Sequence, residues 1–261
     1  MNVRAHLSLT GRTQEDSAAM RITTIVLGSL LSGLFLVLPN LARADQDLET
    51  AKLLIKMVEI GRGVISEQQT LINDPAKGDK GVTAEFVTGQ IADRFKKQTN
   101  VDLLGPNAHP SIKLLQTMLE SQKEVMDGAQ PMINKQGVGF KAFLPAVFAR
   151  RTGATFYKKT GIQVKLTSVA YRYDGNKPDD FEQEVLQVFA DPKSPKGQVV
   201  SRTSMVNGKP ALRVMKPEYA GASCLSCHGN PKGERDITGM RKEGWNEGDL
   251  AGAISIVMPA H

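Results

Sequence analysis

Apolar positions recur along this chain with two different periods, and the change of period divides it into a helical part and a sheet-forming part. Between residues 47 and 66, Leu48, Leu54, Ile55, Val58 and Ile65 fall at helical spacing with charged residues between them, which predicts an amphipathic helix. Asn73-Asp74-Pro75, Gly78 and Gly81 mark a loop. A second helix is predicted to open near Thr83, with Phe86, Ile91 and Phe95 on one side. Gly105-Pro106-Asn107 is another break, after which Ser111 is placed to cap a third helix carrying Ile112, Leu115, Met118, Leu119 and Val125. Residues 140–149 are again helical in pattern, with Pro145 in the first turn or at a kink.

From residue 162 the period shortens. Ile162, Val164, Leu166, Ser168 and Ala170 alternate with polar residues, the pattern of a half-buried strand. Asp179-Asp180 opens a short helix with an apolar face of Phe181, Val185, Leu186 and Phe189. Two extended runs, 198–206 and 209–215, flank Asn207-Gly208, a pair suited to the positive φ angles of a tight hairpin turn. A glycine-rich loop (229–248) and a last strand from Ala251 to Val257 complete the chain. This order predicts an α+β domain, an antiparallel sheet with helices packed to one side. Its helical part covers about 45–160 and its sheet part about 161–258.

Residues 1–44 read as an address. Arg21 precedes an uncharged run from Ile22 to Leu38, and Ala42-Arg43-Ala44 supplies the small residues of a signal-peptidase site, so cleavage is expected before Asp45. Met20 is an alternative start. Export to the periplasm is expected, with membrane association only if the segment stays uncleaved. Removing these residues takes four basic and two acidic side chains, leaving 29 − 25 = +4. The lysines are scattered among acids, which describes a solvated surface and gives no nucleic-acid footprint.

The chemistry is concentrated in residues 224–228, Cys-Leu-Ser-Cys-His. This C-x-x-C-H spacing is the attachment pattern of haem c. Two thiols three positions apart reach the two vinyl groups of one porphyrin, and the next residue, His228, is carried beneath the ring as proximal iron ligand. Three other readings of the cysteine pair exist. A thioredoxin-like redox pair belongs early in a βαβ unit, a zinc site needs further ligands, and a Cys224–Cys227 disulfide closes a very small loop.

The distal side is open between several candidates. His109 precedes the third helix and is either an exposed loop histidine or a distal ligand, whereas His261 is terminal. Met57, Met118, Met126, Met132, Met205 and Met215 are mostly at core spacing. A vacant sixth position for NO or CO is a further reading. Arg172, Arg202 and Arg213 are candidate partners for haem propionates.

Several runs make the chain resemble a known family. They are Gly139 to Arg150, Val164 to Ser168, Tyr171-Arg172, Asn176 to Glu182, Cys224 to Gly229 and Gly244 to Gly252. The family comprises periplasmic c-type haem domains catalogued as a domain of unknown function, with a PAS-like fold. Its members occur as sensor regions of histidine kinases and as stand-alone exported proteins. The resemblance spans about residues 50–258 and implies one covalent haem held against an antiparallel PAS-type sheet, in a redox or small-ligand sensor. Some members are thought to use a distal cysteine thiolate, but this chain has two cysteines in all. No signalling module follows the motif, so a sensor of this kind is expected to act through a separate partner. A monohaem electron carrier with a redox partner protein is the alternative. No acid–base constellation accompanies the motif, so an enzyme such as a haem peroxidase is not expected.

Overall fold

The computed structural model describes residues 43–106 and 108–259. From Gln46 on, the helices, the sheet and the cysteine motif belong to one compact unit. The signal segment with Met20, and also Asn107 and His261, lie outside the described residues.

Four helices build the N-terminal part: α1 (residues 46–67 within this unit), α3 (Ala84–Thr99), α4 (Ile112–Ile133) and α5 (Pro145–Thr160), with a single turn, α2 (Gln69–Ile72), after α1. Thr83 caps α3 as expected, its Oγ1 accepting from Phe86 N at 3.1 Å. The face differs from expectation by one residue. Val87, Ile91 and Phe95 are buried, while Phe86 is exposed. Ser111 precedes α4 without capping it, because its hydroxyl is bonded to Thr50 Oγ1 (2.5 Å) and Gln46 (2.9 Å) of α1. Pro145 is at the first helical position of α5, where its missing N–H leaves no bond unmade. Residues 140–144 therefore precede the helix, which runs on to Gly161 in the left-handed conformation.

The sheet has four antiparallel strands in the order β1 (Gln163–Thr167), β4 (Leu250–Pro259), β3 (Lys209–Tyr219), β2 (Val200–Val206). Asn207 and Gly208 take positive φ, as the hairpin reading requires. β1 ends at Thr167, three residues short of the predicted strand. There Gly252, at φ 151°, brings β4 so close that a Cβ on it would lie 2.3 Å from Thr167 O.

Side chains alternate between two covered faces. Val164, Val214, Ile254, Ile256 and Met258 join the helical core of α1, α3, α4 and α5. Met215 and Ala253 point the other way, against Phe181, Val185, Leu186 and Phe189 of α6 (Asp180–Ala190). The expectation that helices pack to one side is thus corrected. The apolar stripe of α6 has no room on the face already filled by the N-terminal helices, and it covers the opposite one. On the first face, Lys216 pairs with Glu59, and Glu218 with Arg62 one turn further along α1, which docks the outgoing end of β3 on the middle of that helix. Among the described residues no helix is long and apolar enough to cross a membrane.

Candidate functional site

β3 leads directly into the cysteine motif. After Tyr219 the chain is pinned to the start of β4, with Ala220 N donating to Asp249 O and Gly248 N to Ala220 O, each at 2.8 Å. A short turn, Ala222–Cys224, and a one-turn helix, α7 (Leu225–His228), then present both cysteines and the histidine. Cys224 and Cys227 are free thiols, both half-buried.

The loop after α7 folds back onto His228. Gly244 N and Trp245 N both donate to His228 O at 2.9 Å. The Trp245 indole lies flat on the imidazole, with centroids 4.5 Å apart and planes 8° from parallel. His228 Nδ1 is 2.7 Å from Glu243 Oε2. Arg172, from the segment after β1, grips Glu243 with Nε on Oε1 and Nη2 on Oε2, both at 2.7 Å. It also donates to Asp236 Oδ2 (2.5 Å) and Cys227 O (2.8 Å).

These contacts shift the pKa values of the groups they join. Burial lowers the His228 pKa, nearby Arg172 adds to this, and the Glu243 hydrogen bond opposes it without reversing it. Burial alone would raise the Glu243 pKa, but hydrogen bonds from Arg172 and His228 outweigh it and bring it below the usual carboxylate range. At neutral pH a neutral imidazole therefore donates from Nδ1 to an ionised carboxylate, which leaves its lone pair at Nε2, the arrangement of a metal-ligating histidine with an oriented ring. Asp236 is likewise ionised. Burial would raise it, but bonds from Thr238 and Arg172 hold it at about 2.

A model of the Tll0287-like family matches residues 42–259. The chain belongs to the Tll0287-like family. A solved structure described as that of the cyanobacterial haem protein Tll0287 is also similar, at 17% identity and a TM-score of 0.40, covering 60% of this chain and 98% of that one. No curated protein matches.

In this Tll0287-like chain the motif residues Cys224, Cys227 and His228 lie together on one turn and a half of chain. The His109 Nδ1 accepts from Ser111 N at 3.2 Å, and Ser111 is bonded to Thr50 near the start of α1. Met57, Met118, Met126 and Met215 are core residues, Met132 packs against the core, and Met205 is exposed on β2.

Of the three candidate arginines, Arg172 lies in the site but is engaged by Glu243 and Asp236. Arg202 pairs with Glu184, and Arg213 with Asp179, both beside α6. The cations on the site's own loop, Lys232, Arg235 and Arg241, carry no sequence signal that marks them, nor do Glu243, Asp236 and Trp245 as partners of the motif. Glu243 and Trp245 follow His228 by 15 and 17 positions, and of these only Trp245 falls in the family-like run Gly244 to Gly252.

The residues present fit a haem. A neutral histidine offers Nε2, two free thiols precede it in the motif, and Val169, Tyr171, Ile237 and Met240, near Arg172 and Asp236 in sequence, are exposed apolar side chains.

Proposed function

We propose that this chain is an exported c-type haem protein whose PAS-like domain senses redox state or a small diatomic ligand and reports to a separate partner protein. The observation that carries the haem reading is the fixed His228 ring, with Nδ1 on Glu243, inside a C-x-x-C-H motif. The Cys224 and Cys227 thiols add across two vinyl groups, each S–H giving one C–S and one C–H bond with no leaving group. His228 Nε2 is the proximal iron ligand. When bound, the haem supplies an iron that exchanges one electron and accepts a diatomic ligand. Arg172 and Glu243 orient His228, and Trp245 shields its ring face. Cations of the 229–248 loop, Lys232, Arg235 and Arg241, are suited to the propionates.

The sequence pattern of a signal segment, an uncharged run from Ile22 to Leu38 and then Ala42-Arg43-Ala44, supports a periplasmic location, where covalent attachment would retain the haem. The sensing role is supported by the family's occurrence as sensor regions, and an electron carrier is the alternative. The test is an absorption spectrum of protein made with a cytochrome c maturation system, oxidised, reduced and reduced under CO. A c-type pyridine haemochrome with rapid CO binding is expected. A low-spin spectrum indifferent to CO would favour the carrier or pure redox sensing over ligand sensing, and absence of haem would defeat the proposal.

A further inference from the structure

Metal-bound histidines commonly donate their second ring nitrogen to a carboxylate, a backbone carbonyl or water. Here the acceptor is the carboxylate of Glu243, 2.7 Å from Nδ1, and charge-assisted bonds are roughly twice as strong as neutral ones. Glu243 is not left to act alone. Both its oxygens are held by Arg172, and Arg172 is divided between Glu243 and Asp236. Asp236 is in turn fixed by Thr238 N and Oγ1 at 2.8 and 2.6 Å.

Resting on the haem reading above, we propose that Glu243 is a positioning residue that sets the reduction potential of the iron on His228, and that Arg172, shared with Asp236, limits its pull. A hydrogen bond from Nδ1 to an anion pushes electron density into the imidazole and makes Nε2 a stronger donor. Ferric iron, carrying one more positive charge, gains more from that donor than ferrous iron does. Glu243 therefore holds the potential down. Arg172 draws on the same oxygens and weakens the effect. Asp236 occupies part of Arg172 and restores some of it. The three charged groups form a graded control on one ligand bond, built from residues that never touch the iron.

The measurement is the midpoint potential of mature holoprotein, taken spectroscopically against mediators, with the pyridine haemochrome recorded for every variant. Glu243→Gln keeps side-chain length and an acceptor but removes the charge. Its ferric-to-ferrous ratio at a given potential is expected to fall about tenfold, an upward shift of ~59 mV for a one-electron couple. Glu243→Asp keeps the charge and is expected to stay nearer wild type. Asp236→Asn leaves His228 and Glu243 in place and is expected to shift the same way as Glu243→Gln but less, because Arg172 then falls wholly to Glu243. A Glu243→Gln holoprotein with a c-type haemochrome and the wild-type potential overturns the proposal. Should that variant fail to mature, an unchanged potential in Asp236→Asn does so. A wild-type protein without a c-type haemochrome defeats the haem reading instead.

Discussion

Gly153 of α5 lies against the backbone of Val164 in β1, where an added Cβ would sit 2.3 Å from the Val164 carbonyl oxygen. Backbone cannot rotate away as a side chain can, so a methyl group there forces helix and strand apart. Overpacking of this kind costs about 1–3 kcal/mol, and alanine returns about 1 kcal/mol of helix propensity. Gly153→Ala is expected to lose up to about 2 kcal/mol in equilibrium urea denaturation, the overpacking cost less the propensity gain. A variant as stable as the wild type would show that the α5–β1 contact gives way freely.

Asp179 closes a capping box at the start of α6. Its Oδ1 accepts from Glu182 N at 2.9 Å while Glu182 Oε2 accepts from Asp179 N at 3.0 Å, and its other oxygen holds the buried Arg213 at 2.6 Å. Asp179→Ala removes a cap, about 1 kcal/mol, and leaves Arg213 with Glu182 at 3.8 Å as its carboxylate. A loss of about 2 kcal/mol is expected. Asp179→Asn, which keeps the cap, is expected to lose less. Equal losses would assign the whole effect to the Arg213 pair.

The chain has one tryptophan, and it is stacked on His228. A haem on that histidine quenches indole emission by energy transfer, so holoprotein is expected to be nearly dark. The double variant Cys224→Ala, Cys227→Ala, carrying no covalent haem, is expected to fluoresce strongly. Equal emission from the two would separate Trp245 from the bound group.

Asp236 is held at about 2, below the ordinary aspartate value of 3.8. A depressed carboxyl stabilises the fold fully above the unfolded pKa and ceases to do so as pH falls through the folded one, which places the window between about pH 4 and pH 2. The contribution is about 1 kcal/mol once solvent screening is allowed for. Wild-type stability is expected to fall more steeply across that window than that of Asp236→Asn. Parallel curves would remove Asp236 from the acid response.

Local pattern carries the helices, the hairpin and the motif, because each is decided by residues close in sequence. Thr83 and Pro145 can be read as helix starts from their own chemistry. Ser111 cannot, since its hydroxyl is taken by Thr50, 61 positions away. The alternation through Ser168 and Ala170 continues past the real end of β1 because the close approach of Gly252 stops it from another strand. The motif exposes His228 but hides what steers it. Arg172 is remote by 56 positions (228 − 172), and a charged residue in a polar segment looks the same whether it is solvated or bonded to a carboxylate.

Residues 220–249 form a strap closed at its base, where Ala220 exchanges bonds with Gly248 and Asp249. Both cysteines, His228, Glu243 and Trp245 travel within it, and Arg172 enters from outside. The strap is accordingly a transplantable unit with one guy-rope. Grafted between two neighbouring antiparallel strands of another protein, it would bring the ligand and its carboxylate but leave behind the guanidinium that joins both to the rest of the sheet.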